Sequence, residues 1–451
     1  MLHERVSSDP KSPGARDWLA HAIFWHLYPL GFTGAEASAQ PPPVRHRLQH
    51  IEGWLDYAVE LGCSGLLLGP IFASQTHGYD TLDYFQIDSR LGDQADFERL
   101  VAAAHSRGLK LVLDGVFNHV GRGFPQFVEA TEMGERSPYA HWFRRTGQTA
   151  DGRPAYAVFE GHGSLIALNH AEPEVARYVT QVMDHWLGRG ADGFRLDAAY
   201  AVPAPFWQSV LPELRRAHPH AFFLGEVIHG DYVRIAADSG MDSVTQYELW
   251  KAIWSAINDV NCFELAWALE RHAGFVERFL PQTFIGNHDV TRIASKLQDT
   301  RHLAHACVCL LTLPGIPSIY AGDEQAFRGV KEERAGGDDA IRPAFPALPA
   351  QLAPYGWPIY RLHQNLIALR RKHAFLQRAR VRVDQRTNAA LVYTCEGEGR
   401  ALTVALNLGD TALPLPTPLR RLLSSSSSQP GQRVEACKVE PHGFLIGEPR
   451  Q

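Results

Sequence analysis

Acidic side chains follow several apolar runs of this 451-residue chain, at the point where each run ends. These ends are Asp114 with Asn118 and His119 close behind, Arg195-Leu-Asp197, Gly225-Glu226 and Asn287-His288-Asp289. A single aspartate after a strand is more often the N-cap of the next helix than a reactive group. Four charged ends at one rim are harder to explain by capping, because burying that many charges without partners is costly. We therefore predict that these side chains converge on one polar site.

The spacing of the acids indicates which chemistry they could perform. Two carboxylates that flank a glycosidic bond can hydrolyse it, one as nucleophile or base and the other as proton donor. Arg195 lies two residues before Asp197, so both side chains point to one face of a strand, and the guanidinium is expected to keep Asp197 ionised. Glu226 follows the apolar residues 221–224, where burial favours a protonated acid. Asp289, beside His288, could contact sugar hydroxyls and a developing positive charge.

The elements that must position these residues alternate between short apolar runs and amphipathic stretches. The amphipathic stretch from Asp96 is typical: Phe97, Leu100, Val101 and Ala104 recur at helical spacing, and a glycine follows. Eight strand–helix units without internal repeats predict an α/β fold, a (β/α)8 TIM barrel, whose site forms at the carboxyl ends of the strands. The predicted strands begin at Ala22, Cys63, Leu109, Ala191, Ala221, Asp242, Gln282 and Gly315.

Two segments interrupt this alternation. A turn-rich, aromatic stretch at residues 120–168 follows the third predicted strand. After about His373 the helical patterns stop, and apolar and polar residues alternate on either side of Glu396-Gly-Glu-Gly, as in a β-hairpin. We predict a barrel built from residues 1–119 and 169–376, a short inserted domain at 120–168, and a C-terminal antiparallel β-domain, a β-sandwich, at 377–451.

The composition excludes several classes of function. Hydrophobic residues make up 45% and charged residues 21% of the chain, and the net charge of −5 includes no basic stripe for nucleic acid. No stretch approaches the ~20 apolar residues of a membrane span, and the start, MLHERVSSDPKSPGARDW, lacks the apolar region of a secretory signal. The six cysteines are scattered, without CxxC or histidine clustering, so disulfides are not expected. We predict a cytoplasmic protein with neither nucleic acid nor a membrane as partner.

Six segments together resemble the α-amylase superfamily of glycoside hydrolases. They are HGYDTLDYF from His77, DGVFNH from Asp114, LNHAEPEV from Leu168, GFRLDAA from Gly193, GEVI from Gly225 and NHD from Asn287. The resemblance extends from about Ala22 over nearly the whole chain and is strongest to the neopullulanase, cyclomaltodextrinase and α-glucosidase-like branch. It implies a barrel with a domain inserted after the third strand and a C-terminal β-domain. The additional N-terminal β-domain of that branch is not expected here, because the first barrel strand begins at about Ala22.

The resemblance also implies a role for each matching position. Asp197 matches the nucleophile, Glu226 the general acid and base, and Asp289 the carboxylate that stabilises the transition state. The matching substrate-binding positions are Tyr79, which would stack on the sugar ring, Asp114, His119, Arg195, His229, Asn287 and His288.

Two positions depart from the family pattern. Calcium-dependent members have a histidine four residues after the nucleophile, where this chain has Ala201, although Asn118 of the third-strand motif is present. Residues 120–168 contain no recognisable calcium loop either. Calcium is therefore possible but not expected, and we predict no metal or other cofactor. Ile228 precedes His229 where the resembling branch tends to have tryptophan, which weakens any inference about the leaving-group side.

These observations predict a retaining glycoside hydrolase that cleaves α-glucosidic bonds, in particular α-1,4 bonds, in maltooligosaccharides or related small α-glucans. A transglycosidase on the same site is an alternative, because acceptor choice depends on loop shape and water exclusion rather than on the carboxylates. A non-catalytic binding or partner subunit is a remote alternative, since all three carboxylates are present and no membrane span accompanies them. The oligomeric state is left open.

Overall fold

Eight parallel strands form the centre of the molecule in the computed structural model, which describes residues 16–38, 43–149, 152–334, 336–425 and 435–449. We number them β1 to β8: Phe24–Leu27, Gly65–Leu68, Lys110–Gly115, Gly193–Leu196, Phe222–Gly225, Ser243–Val244, Gln282–Phe284 and Ile316–Tyr320. They pair in the order β6-β5-β4-β3-β2-β1-β8-β7, and a parallel bridge between Thr245 and Gln282 joins β6 to β7. The predicted (β/α)8 barrel is confirmed.

Amphipathic helices surround the barrel and bury their apolar faces against it. The helix from Gln94 begins two residues before the predicted stretch, because Asp93 and Asp96 form a capping box at its start. Its predicted apolar face, from Phe97 to Ala104, is buried. The helices span Pro29–Phe32, Leu48–Glu52, Leu55–Leu61, Gln94–Ser106, Pro125–Met133, Pro173–Leu187, Ala204–Ala217, Tyr232–Ser239, Tyr247–Asn258, Cys262–Val276, Ile293–Lys296, Leu303–Thr312 and Trp357–Lys372.

Two extensions leave the rim at the carboxyl ends of the strands. After β2, the strands Phe72–Ser74 and Thr81–Ile87 form an antiparallel ladder, and the loop between them contains Tyr79. After β3, the chain passes through the insert, where His119–Gly121 pairs with Leu165–Ala167 and Arg145–Gln148 pairs with Pro154–Tyr156. Because the first insert strand begins at His119, the insert is attached directly to the predicted site.

The C-terminal region is a six-stranded antiparallel sheet. The predicted hairpin is present: Gly397 pairs with Arg400, and the two residues between them, Glu398 and Gly399, both have positive φ (52° and 70°), as a tight hairpin turn requires. All six strands form one continuous sheet. The predicted boundaries of the barrel, the insert and the C-terminal β-sandwich stay predictions. The strands are Arg380–Arg386, Ala390–Gly397, Arg400–Asn407, Leu413–Ser424, Glu435–Val439 and Phe444–Pro449.

A buried arginine links the helix Trp357–Lys372 to the segment before β8, at the end of the barrel opposite the rim. Arg370 donates hydrogen bonds to the carbonyl oxygens of Leu311 (3.1 Å), Leu313 (2.8 Å) and Gly315 (2.7 Å). These carbonyls lie at the end of the helix Leu303–Thr312 and just before β8. They are polar groups that would otherwise be buried without a donor.

Two sequence predictions about the whole chain can also be compared with the structure. All six cysteines are free thiols, five of them buried and Cys437 exposed. Among the described residues, no helix combines the length and the apolar character needed to cross a bilayer.

Candidate active site

Arg195 is the centre of the polar site at the rim. It lies in β4 directly opposite Asp114 of β3, and its Nη1 donates to both carboxylate oxygens of Asp114 at 2.7 Å. The same Nη1 donates to Asp197 Oδ1 at 3.2 Å, while Nη2 forms an ion pair with Glu226 Oε1 at 2.6 Å. One guanidinium therefore contacts three carboxylates, and the side chains of all four residues are at most 9% exposed.

The two central acids follow neighbouring strands. Asp197 comes directly after β4 and Glu226 directly after β5, and the register pairs Leu196 with Gly225. The Ala198 N–H donates to Glu226 Oε2 at 3.0 Å, and the Tyr247 hydroxyl donates to Glu226 Oε1 at 3.2 Å. Glu226 thus accepts hydrogen bonds from residues that follow β4 and β6, in addition to its ion pair with Arg195.

Burial has the largest effect on the pKa values of Asp114 and Asp197. It raises the pKa of Asp114 to about 6, although Arg195 acts in the opposite direction. Burial and then the Glu226 carboxylate raise the pKa of Asp197 well above its ordinary value, against the opposing effect of Arg195. Arg195 favours the ionised form of Asp197, as expected, but burial and the Glu226 carboxylate oppose this effect. One cation shared by three acids does not compensate for their burial and mutual repulsion.

A wall of stacked rings flanks the carboxylates. The Tyr79 ring stacks on His288 (centroids 5.5 Å apart), and Tyr28 also stacks on His288 (5.8 Å). The Tyr79 hydroxyl donates to Asp114 Oδ2 at 3.0 Å and contacts His288 Nε2, whose Nδ1 lies 3.1 Å from His26 Nε2. Burial lowers the pKa of both His288 and His26 well below the ordinary value, so both rings are neutral hydrogen-bonding groups at neutral pH.

Asp289 is the most accessible of the three predicted catalytic carboxylates. Its side chain is 34% exposed, and its Oδ2 lies 3.0 Å from His288 Nε2. Arg342 donates from Nη2 to Asp289 Oδ1 at 2.9 Å and from Nε to the His288 carbonyl at 2.8 Å. Asn287 accepts the Asp289 N–H and donates to the Tyr247 hydroxyl, both at 2.9 Å. The Asn-His-Asp motif thus connects the ring wall around His288 to Tyr247, which contacts Glu226.

The two remaining predicted residues differ in their environment. His119 is buried and stacks on Phe159 (centroids 4.7 Å apart), and its Nε2 has no hydrogen-bond partner among the described residues. Burial lowers the pKa of His119 to about 3, so a neutral ring nitrogen remains for a ligand hydroxyl. His229 is exposed and contacts the ring of Tyr200 (5.0 Å). His229 is therefore open to solvent, unlike the buried ring of His119.

A cavity of about 460 Å³ beside Asn118 is where the implied calcium ligands can be examined. Two of its lining side chains form hydrogen bonds to other residues: Asn169 Nδ2 donates to the His141 carbonyl, and the Tyr200 hydroxyl donates to Glu160. His170 Nε2 is bonded to the Phe117 carbonyl, and Arg144 brings a positive charge to the same cavity. Calcium takes six to eight oxygen ligands, and the absence of a calcium site stays a prediction.

Sequence reasoning missed four residues of the site, namely His26, Tyr28, Tyr247 and Arg342. Tyr247 and His26 lie at the carboxyl ends of β6 and β1, where the rule that located the acids would also have found them if neutral side chains had been considered. Arg342 lies after β8, directly behind the short 3-10 turn Asp339–Ile341, where no periodic pattern marks it.

Comparisons with known proteins identify the family of this chain. The family described as alpha amylase, catalytic domain, matches residues 27–348. A cyclomaltodextrinase of Bacillus sp is 29% identical over 418 residues, which cover 86% of this chain and 73% of the relative. Neopullulanase 2 of Thermoactinomyces vulgaris is 29% identical over 391 residues, 81% of this chain and 65% of the relative. The ligand-free structure of a cyclic alpha-maltosyl-(1-->6)-maltose hydrolase from Arthrobacter globiformis has a TM-score of 0.80 at 25% identity, covering 96% of this chain and 100% of that one. This chain therefore belongs to the alpha-amylase family and is a glycoside hydrolase of that family.

Proposed function

We propose that the enzyme hydrolyses α-glucosidic bonds, in particular α-1,4 bonds, in maltooligosaccharides or related small α-glucans, and that the products retain the α configuration. The observation that carries this proposal is the guanidinium of Arg195, which contacts both Asp197 and Glu226. A single guanidinium spanning two carboxylates keeps them close together. Retaining glycosidases hold their two carboxyl groups ~5–5.5 Å apart, whereas inverting enzymes leave ~6.5–9.5 Å for a water molecule.

The proposed reaction has two steps. In the first, protonated Glu226 gives its proton to the glycosidic oxygen, the C1–O bond breaks, and Asp197 forms a covalent bond to C1. In the second, Glu226 as carboxylate removes a proton from water, which attacks C1 and releases Asp197. The positive charge that develops at C1 favours the ionised form of Asp197, although burial raises its pKa in the free enzyme. Asp289, still partly exposed, would contact sugar hydroxyls and stabilise that charge.

The proposed substrate size follows from the walls of the site. The insert is short, and the stacked rings of Tyr79, His288 and Tyr28 enclose one side of the acids. These features favour a cleft for a few sugar units over one that binds a polymer surface. The names of the relatives, cyclomaltodextrinase and neopullulanase 2, support small or short α-glucan substrates.

A substrate panel tests this proposal. Maltose, maltotriose, pullulan, sucrose, trehalose, cyclodextrins and raw starch would be incubated with the enzyme, and the products separated by chromatography. We expect a higher kcat/KM on maltotriose-sized oligomers than on raw starch. A preference for insoluble starch, or turnover of sucrose or trehalose alone, would refute the substrate assignment. A parallel series with added glucose as acceptor measures the share of transfer to sugar.

We also propose that catalysis needs no calcium and that the enzyme works in the cytoplasm. The hydrogen bonds of Asn169 and Tyr200 beside Asn118 and the positive charge of Arg144 support catalysis without calcium. Six free thiols support the cytoplasmic location, because disulfides are rare in reducing compartments. An intracellular maltogenic amylase of Bacillus subtilis, 28% identical over 338 residues (70% of this chain and 57% of the relative), supports it too. Growth of the source cells followed by fractionation and assay would test the location.

A further inference from the structure

A histidine–carboxylate cluster joins the barrel to the C-terminal sheet, away from the catalytic acids. Asp299 and His302 belong to the short 3-10 turn that precedes the helix Leu303–Thr312. His442 lies in the turn before the strand Phe444–Pro449. One potential ligand atom from each of these three residues lies within 4.8 Å of the others, and His302 Nε2 is 3.1 Å from His442 Nδ1.

The hydrogen bonds around the cluster orient its potential ligand atoms. His442 Nε2 lies 2.7 Å from Asp410 Oδ1, so in the neutral ring Nε2–H donates to this carboxylate and the lone pair of Nδ1 faces His302. A carboxylate that accepts from the far nitrogen of a histidine is the usual support of a metal-binding imidazole. Both carboxylate oxygens of Asp299 accept hydrogen bonds from Arg301: Oδ1 from the backbone N–H and Nε, and Oδ2 from Nε and Nη2. Hydrogen bonds therefore fix the positions of both His442 and Asp299.

The separation of the two histidine nitrogens suits a small tetrahedral ion. Zinc binds histidine nitrogens at about 2.0–2.1 Å, so two such nitrogens on a tetrahedral ion lie about 3.3 Å apart. The observed separation of 3.1 Å between the His302 and His442 nitrogens needs only a small adjustment. The ring of His302 is buried, which favours its neutral, metal-binding form. The Arg301 hydrogen bonds keep the pKa of Asp299 well below its ordinary value, so its carboxylate is ionised.

We propose that Asp299, His302 and His442 bind one Zn²⁺ ion, with water as the fourth ligand, and that the ion links the barrel to the C-terminal sheet. Two imidazoles and one carboxylate favour zinc over calcium or magnesium, which prefer sites made of oxygen ligands alone. Because ligands from two regions converge, binding would stabilise the contact between them. The competing explanation is a hydrogen-bonded pair of imidazoles that takes no metal.

A metal titration of the full chain tests the proposal. The protein would be stripped with EDTA, dialysed, and titrated with Zn²⁺ while heat of binding and Tm are recorded. We expect one Zn²⁺ per chain and a rise in Tm of several degrees. Replacing Zn²⁺ by Co²⁺ should give the visible absorption of tetrahedral Co²⁺. Adding Ca²⁺ instead should change neither Tm nor kcat, which tests the calcium proposal independently.

Matched variants locate the ion. His302→Gln and His442→Asn should lose the Zn²⁺-dependent rise in Tm, and asparagine suits the positive φ (52°) at position 442. Cys437→Ser removes the exposed thiol, and His46→Ala removes a histidine beside Asp93 and Asp96; both should keep the rise. The Tm of each variant without metal shows first that it folds. Absence of Zn²⁺ binding by the parent protein, or an equal rise in Tm with His302→Gln and His442→Asn, would overturn the proposal.

Discussion

Arg195 and Arg370 are both buried, lie at opposite ends of the same barrel, and differ in their partners. Arg195 contacts the carboxylates of Asp114, Asp197 and Glu226, whereas Arg370 donates to three backbone carbonyls. Burial lowers the pKa of Arg370 to about 10. Burial would lower the pKa of Arg195 as well, but Asp114 and Glu226 raise it well above its ordinary value.

The difference separates a structural contact from a reactive one. Backbone carbonyls are fixed dipoles that do not titrate, so the contacts of Arg370 can only hold elements together. Three carboxylates around one cation leave an excess of negative charge, and at least one proton is easily gained or lost. Titratable groups with strongly shifted pKa values gather at functional sites. The comparison therefore predicts opposite effects on activity and stability at the two ends.

The largest effect is expected for Asp197→Ala and Glu226→Gln. Each removes one partner of the proposed two-carboxylate mechanism, so kcat on a maltooligosaccharide should fall by at least about 10³-fold. Tm should stay equal or rise, because each change relieves repulsion around Arg195. Steady-state kinetics and calorimetry check both parts. Retention of more than about a tenth of kcat by either variant would remove that residue from its role.

The opposite result is expected for Arg370→Met. Removing this side chain leaves three buried carbonyls without their donor, which should lower the free energy of unfolding by about 3 kcal/mol or more. The kcat of the folded protein should stay within about twofold, because nothing in the rim changes. Arg371→Met is the matched control: Arg371 is exposed and its loss should change stability by about 0.5 kcal/mol at most. Urea unfolding measures the difference. A large loss of kcat with unchanged stability would contradict the structural role.

A pH profile sharpens the comparison further. Burial raises the pKa of Asp197, and the charge of the ionised Glu226 carboxylate raises it further. Asp197 must be ionised to attack C1. Glu226→Gln removes the second cause, so the pKa of Asp197 should fall and the acidic limb of kcat/KM should move to lower pH. α-Maltosyl fluoride permits this measurement, because its leaving group needs no acid. An acidic limb that stays in place or moves upward would show that Glu226 does not raise the pKa of Asp197.

The smallest effect is expected for Tyr247→Phe. The Tyr247 hydroxyl connects Asn287 to Glu226, so its loss should lower kcat by about tenfold with little change in KM. Tyr360→Phe is a matched control, because it removes a buried hydrogen bond to the Tyr57 carbonyl far from the acids. It should lower Tm slightly and leave kcat unchanged. Equal kinetic effects of the two variants would deny Tyr247 a positioning role.

The sequence alone supported the barrel and the meeting place of the acids. Apolar runs that end in Asp114, Asp197 or Glu226 predict both a barrel strand and a site residue, because the strand and its polar end are adjacent in the chain. The protonation of Asp197 was not predictable, since it depends on burial and on neighbours from other strands. Arg342 was missed because a loop residue far along the chain has no periodic pattern, although it contacts Asp289. Contacts between His302 and His442 likewise arise only when the C-terminal sheet packs on the barrel.

The anomeric configuration of the first product tests the central claim, that Asp197 acts as a nucleophile beside Glu226. Maltotriose would be hydrolysed with a large amount of enzyme, and proton NMR spectra recorded before mutarotation. A covalent intermediate on Asp197 inverts C1 once, and its hydrolysis inverts C1 again. The account therefore predicts that the α anomer appears first and the β anomer grows in only with mutarotation. A β anomer that appears first would show direct attack by water and would contradict the nucleophilic role of Asp197.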